Sequence, residues 1–148
     1  MTTATGDYAI DWSGVGDINP YTSADFAAEG GGAFKIQTGM LRPAGSDARR
    51  FFAYTAEAVS GDIYVAKVEV GYSDATSAGD WTGPAILDAS GNGYAIKVNT
   101  TETRLRRVTA WVGSSIDGAT DTPYSVGDVF KITVNAATGA IEGFKNDV

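Results

Sequence analysis

The sequence predicts an all-β protein, an antiparallel two-sheet sandwich, and three observations predict it. Runs rich in β-branched and aromatic residues recur along the chain, and several of them alternate apolar with polar residues. Short segments of Gly, Asn and Ser separate the runs, as antiparallel hairpins require. No long stretch shows the period of an amphipathic helix. The 148 residues suit one domain, which at this size buries about 68–70% of the surface of its unfolded chain.

The first 32 residues are rich in turn-forming residues and are predicted to form an N-terminal arm. Within them Asp7 to Trp12 is one possible strand, and Ser23 to Glu29 could form a short helical turn before the glycines at 30–32. The sandwich itself is predicted to span residues 33–148.

From residue 33 the predicted strands follow one another with turns between them. They are 33–38, 40–42, 50–55, 62–71, 93–99, 103–112, 127–135 and 139–145. The turns at 89–93, 99–101 and 135–139 contain the Gly and Asn that tolerate left-handed backbone. Alternation places one set of apolar side chains between the two sheets: Phe34, Ile36, Tyr94, Ile96, Val98, Phe130, Ile132 and Val134.

Two predicted strands do not alternate cleanly. In 62–71 the apolar positions change phase between Val65 and Val68, and in 103–112 they change between Leu105 and Val108. A β-bulge or a change of covering layer would explain either change of phase.

Composition excludes several classes of function. The chain has no cysteine, which fits assembly in a reducing cytoplasm. The formal net charge of −7 repels nucleic-acid phosphate, so we expect no nucleic-acid binding. The N-terminus shows no signal peptide and no apolar run is long enough to span a bilayer, so we expect no membrane insertion.

Histidine is also absent, which removes the commonest general base and the commonest zinc ligand. A glycosidase-type carboxylate pair remains conceivable, but the strand glutamates, such as Glu69 and Glu142, lack the two-residue spacing of a pair on one strand face. We therefore predict a protein that is not an enzyme, with no catalytic residue, no metal and no cofactor. The oxygen-rich segment 88–93 is interpreted as a hairpin turn in preference to a calcium loop.

Aromatic side chains are the candidates for ligand binding, since flat rings stack on sugar rings. The residues singled out for glycan binding are Trp81, Tyr94 and Arg104, with Trp81 in a predicted exposed loop. Core packing is the alternative interpretation for each aromatic residue. Under the glycan hypothesis, Trp81→Ala weakens binding and leaves stability nearly unchanged.

Six segments taken in order carry a family resemblance: 50–54 (RFFAY), 63–68 (IYVAKV), 93–96 (GYAI), 105–108 (LRRV), 127–132 (GDVFKI) and 141–147 (IEGFKND). This pattern resembles the concanavalin A-like (laminin-G-like) jelly-roll domains of bacteriophage structural proteins. The resemblance implies a jelly-roll fold and a non-enzymatic virion structural protein, either a capsid decoration or a fibre-type subunit.

The same resemblance implies a location in the virion after assembly in the host cytoplasm, with other virion proteins or copies of itself as partners. The alternative is a carbohydrate-binding module or adhesin that binds cell-surface glycans. In the family a further strand follows the equivalent of 141–145, whereas this sequence ends at Val148. We expect an oligomer in which a neighbouring subunit or the N-terminal arm completes the sheet.

Overall fold

The computed structural model describes residues 11–24, 26–29, 33–44, 51–54, 61–71, 82–99, 102–116 and 124–147. Every regular element within these ranges is a β-strand, and every strand pair is antiparallel, which confirms the all-β prediction. The chain divides into two compact units, Met1–Ser60 and Gly61–Val148. The predicted boundary between residues 32 and 33 stays a prediction, since residues 30–32 lie outside the described ranges.

The first unit contains five strands in its described residues: β1 (Ile18–Tyr21), β2 (Phe26–Glu29), β3 (Phe34–Gln37), β4 (Met40–Pro43) and β5 (Phe51–Tyr54). They form one sheet in the order β1-β3-β4 and a second from β2 and β5. Phe34 and Ile36 of β3 are both buried, as their alternation predicts, but neither belongs to the apolar core cluster of the second unit.

The predicted N-terminal arm therefore contributes strands to sheets. The helical turn predicted at 23–29 is wrong, because 26–29 is strand β2, paired with β5. Of the possible strand from Asp7 to Trp12, residues 7–10 lie outside the described ranges, and Asp11 and Trp12 belong to no strand.

The second unit contains seven strands in its described residues: β6 (Ile63–Glu69), β7 (Ala85–Leu87), β8 (Gly93–Val98), β9 (Thr103–Thr109), β10 (Val112–Ser115), β11 (Val129–Asn135) and β12 (Ile141–Lys145). One sheet has the order β10-β9-β8-β7, a simple meander of consecutive strands. The other has the order β12-β11-β6. The predicted strands at 62–71, 93–99, 127–135 and 139–145 are confirmed within a few residues.

A shared apolar core joins the two sheets of the second unit. Ile96 and Val98 from β8 cluster with Phe130 and Ile132 from β11 and with Val70, all of them buried. Tyr94 packs against this cluster while half-buried. Of the apolar positions predicted on β8 and β11, all but one therefore face one core; Val134 is half-buried and does not belong to the cluster.

The change of phase in β6 comes from neither of the two predicted causes, a bulge or a change of covering layer. The register of β6 with β11 runs without a shift from Ile63 to Glu69. Ala66 and Val68 pack on the core, which leaves Ile63 and Val65 on the outer face, 59% and 58% exposed. The bulge prediction is wrong at this strand, because the strand presents apolar residues on both of its faces.

The predicted strand 103–112 is also wrong in its extent. It is two strands, β9 and β10, joined at Ala110 and Trp111. Within β9 the change of phase does mark a change of covering layer, since Leu105 packs on the core and Val108 is buried on the opposite face.

Candidate functional site

The loop between β7 and β8 is a turn closed by hydrogen bonds to one carboxylate. Asp88 Oδ1 accepts hydrogen bonds from the backbone N–H groups of Ser90 (2.8 Å) and Asn92 (2.9 Å). These bonds lower the pKa of the Asp88 carboxyl, and the bond from the Asn92 backbone has the largest effect. The Asp88 side chain is thus occupied by its own loop, which confirms the hairpin-turn interpretation of 88–93.

The turn between β9 and β10 has an uncommon backbone. Ala110 and Trp111 both have positive φ, 47° and 67°, the conformation of a two-residue type I′ hairpin turn. That turn normally uses Asn and Gly, because the left-handed conformation costs other residues roughly 1–2 kcal/mol each. Such strain persists only where surrounding contacts hold it, and it concentrates at functional positions.

The β7–β8 loop provides those contacts. Ala110 N donates to Asn92 Oδ1 (3.0 Å), and Trp111 N donates to the carbonyl oxygen of Gly91 (3.0 Å). The Trp111 ring lies directly on Gly91, where an added Cβ would stand 2.3 Å from a ring carbon. Loop and turn therefore form one bonded platform at this end of the four-stranded sheet, which we call the Trp111 platform (88–93 and 109–112).

An open depression of about 280 Å³ adjoins this platform, lined by Asn92, Gly93, Tyr94, Arg107, Val108 and Thr109. Strand register explains the lining, because Tyr94 pairs with Arg107 and the two side chains share one face. An aromatic ring, a guanidinium, an amide and a hydroxyl thus stand together. The volume is at the lower limit of small-molecule sites, which start near about 300 Å³, so a ligand here would remain largely exposed.

The structure does not gather the residues predicted for glycan binding. Trp81 lies outside the described residues. Tyr94 lines the depression, but Arg104 pairs with Lys97 on the opposite face of the same sheet. A role in glycan binding stays a prediction for each of the three residues, and Tyr94 and Arg104 cannot share a ligand across the sheet.

Arg104 takes part in a cluster of charges. Glu102 accepts hydrogen bonds from Lys97 Nζ (2.6 Å) and Arg104 Nε (2.7 Å). The bond from Lys97 is the main reason that the pKa of Glu102 is lowered. Lys97 is only 5% exposed, so its charge requires this carboxylate. These contacts give Arg104 a structural role in the sheet.

Sequence reasoning missed Arg107, Asn92 and Trp111 as members of a site. The residues at the β9–β10 turn are Ala and Trp, which carry none of the usual turn signals. Because no turn signal marks Ala110 and Trp111, the sequence does not show that the chain reverses there and contacts the β7–β8 loop. The alternation of β9 could have identified Arg107. Once β8 and β9 are paired in register, the side chain of Arg107 must lie on the same face of the sheet as that of Tyr94.

The described residues show no group of three or more Asp and Glu side chains close enough to hold a metal ion. In the same ranges there is no helix that could cross a membrane. No protein-family model, curated protein or solved structure matches the chain.

Proposed function

We propose that the chain is a non-enzymatic structural subunit of a virus particle, of the capsid decoration or fibre type, folded as a jelly-roll sandwich. The virion part of the proposal rests on the resemblance to the concanavalin A-like domains of phage structural proteins, and the observation that carries its non-enzymatic part is the use made of the acidic groups. Among the described residues, every carboxyl with a displaced pKa is displaced downward: Asp11, Asp88, Glu102, Asp128 and Asp147. A general acid or base works best with a pKa near the operating pH, whereas the hydrogen bonds and ion pairs of these groups favour the ionised form and tie loops and strands together.

The positions of the strand glutamates support the same proposal. Glu69 and Glu142 share the outer face of the β12-β11-β6 sheet, opposite Val129 and Thr133 of the strand between them. Four residues along β11 and two strand spacings across it separate them by about 16 Å. A glycosidase pair needs roughly 5–9.5 Å, so these two carboxylates do not form one.

The sandwich part of the proposal rests on the second unit. Its four-stranded and three-stranded sheets cover one apolar core through β8 and β11. The chain passes from β6 into the meander of the other sheet and returns at β11, which is the kind of crossing between sheets that a jelly roll contains. In this proposal the partners are other virion proteins or further copies of the chain, in a particle assembled in the host cytoplasm.

The test is quantitative mass spectrometry of purified virions from a phage whose genome encodes this sequence. A structural subunit should be present in a fixed ratio to the major capsid protein, in several copies per particle. Absence from purified virions while the protein is abundant in infected cells would refute the proposal. Release of reducing ends from a polysaccharide panel, lost on Glu69→Gln or Glu142→Gln, would refute the non-enzymatic part.

The depression beside the Trp111 platform favours glycan binding as a second candidate function. Tyr94 contributes an aromatic side chain and Arg107 several N–H donors on the same face. If glycans bind there, Arg107→Ala should weaken binding on a glycan array by about tenfold, the loss expected for about 1.4 kcal/mol from hydrogen bonds to a charged donor.

Arg104→Ala is the matched control, because it removes the same side chain from the opposite face of the same strand. It should leave the array signal unchanged while lowering the melting temperature, since Glu102 loses a partner. Equal losses of binding for the two variants, or an array with no hits for the wild type, would exclude the depression as a glycan site.

A further inference from the structure

Strand β6 (Ile63–Glu69) stands at one end of the β12-β11-β6 sheet. It is among the longest strands, with seven residues, and within the described part of the chain no strand pairs with its second edge. Natural sheets usually protect such an edge with a proline, a bulge, a short strand or a lysine. The lysine of β6, Lys67, is paired with Asp147. β6 contains no proline, and its register with β11 is continuous.

The backbone groups on that edge can be assigned. Val70 N donates to Asp128 O, and Asp62 O accepts from Ala136 N, so the even-numbered residues direct their hydrogen bonds toward β11. In an antiparallel ladder alternate residues point the opposite way. The N–H and C=O groups of Ile63, Val65, Lys67 and Glu69 therefore face the second edge.

The side chains beside the edge include exposed apolar residues of the kind found in protein interfaces. Ile63 and Val65 are among the most exposed large apolar side chains of the described residues, 59% and 58%. Lys67, on the same face, is paired with Asp147 (3.4 Å). Exposed apolar residues along an open edge, with the charge of Lys67 engaged by Asp147, favour strand addition.

We infer that a second copy of this chain occupies the edge, with β6 pairing antiparallel to β6 of its partner about a two-fold axis at Ala66. Ile63 then lies opposite the partner's Glu69, and Val65 lies opposite the partner's Lys67. All four outward-facing residues of each copy find a partner in this register, and both open edges close in one contact.

Charge and packing select this register over its neighbours. A shift by two residues in one direction places Lys67 opposite its own copy, which is a repulsive direct pair. The opposite shift leaves Glu69 beyond the end of the partner strand, opposite Gly61. In the centred register the aliphatic part of Lys67 covers Val65 across the interface, and Asp147 stays beside the ammonium group.

The first test uses the backbone directionality of the edge. Val65→Pro removes an outward N–H and spares the bonds to β11, since those come from the even-numbered residues. Val65→Thr is the matched control, because it keeps both the N–H and the β-branched shape. At tens of micromolar, sedimentation equilibrium should show a dimer for the wild type and for Val65→Thr and a monomer for Val65→Pro. Circular dichroism should show that the Val65→Pro monomer is folded. A wild type that is monomeric up to about 100 μM, or a Val65→Pro variant that dimerises as tightly as the wild type, would overturn the inference.

The second test fixes the register and uses the absence of cysteine from the chain. Two copies of Ala66 face each other across the axis as a non-hydrogen-bonded pair, with Cα atoms about 4.5 Å apart, within disulfide range. Ala66→Cys should therefore form a covalent dimer under mild oxidation. Glu69→Cys places its two copies six residues apart along the strands, about 20 Å, and should remain monomeric on a denaturing gel. Crosslinking of both variants alike, or of neither, would refute the centred register.

This inference deepens the assembly role proposed above and takes its biological meaning from it. The two can fail separately. A monomeric chain found in virions would refute the dimer alone, and a dimer absent from virions would refute the virion role alone.

Discussion

Truncation of Ile132 to Ala tests whether the two sheets of the second unit depend on a shared core. Ile132 is 0% exposed, lies at the centre of β11 and belongs to the cluster formed with Ile96, Val98 and Phe130. Removing its outer carbons leaves a cavity that side chains from both sheets cannot fill without moving. Buried Ile→Ala changes of this kind cost about 2–5 kcal/mol.

The magnitude can be converted into a melting temperature. For a chain of about this length, each kcal/mol moves the midpoint by about 2–4 °C, so a loss of about 3 kcal/mol lowers it by about 6–12 °C. Differential scanning calorimetry at neutral pH measures the shift directly.

Ile116→Ala is the matched control. It makes the same chemical change at a position that is 46% exposed, and surface substitutions usually change stability by about 0.5 kcal/mol or less. Similar shifts for the two variants, or a shift below about 2 °C for Ile132→Ala, would refute the assignment of Ile132 to a common core.

Two further predictions concern the loops. Gly91→Ala should lower the melting temperature and increase solvent exposure of Trp111 in fluorescence quenching, because φ is 75° and the new Cβ would meet the indole at 2.3 Å; unchanged quenching would contradict the stacking. The pKa of the Asp128 carboxyl is lowered from 3.8 to about 2, mainly by the hydrogen bond that Lys145 donates to it. The stability that this carboxylate contributes is therefore complete above pH about 4 and disappears as the pH falls toward 2. Asp128→Asn should lower the melting temperature at pH 7 and flatten its pH dependence between pH 4 and 2, and identical pH profiles would show that the pair contributes nothing.

Most of the strands could be predicted from the sequence, for local reasons. Alternation in 93–98 and 129–135 reports a strand with one face on a core, and the Gly and Asn residues at 135–139 report the turn that ends it. Both signals lie within a few residues of each other, so no knowledge of distant contacts is needed. The same applies to the buried positions Ile96 and Ile132, which follow once the phase of each strand is known.

The sequence misled where a strand is apolar on both faces or where a turn lacks turn residues. In β6 the outward Ile63 and Val65 imitate a change of phase, because hydrophobicity alone does not say whether a side chain meets a core or the sheet's outer face. At Ala110 and Trp111 the left-handed backbone is imposed by Asn92 and Gly91, from a loop that precedes them by some 20 residues. Contacts of that range are invisible to local patterning.

The sequence by itself determined the class of the protein, an antiparallel all-β chain whose charge and lack of histidine disfavour several functions. Only the tertiary structure decided which residues meet. It separated Tyr94 from Arg104 by pairing β8 with β9 in one register, and it placed Tyr94 beside Arg107 instead. The physical reason is the two-residue period of a strand, because a register that shifts by one residue exchanges every side chain between the two faces.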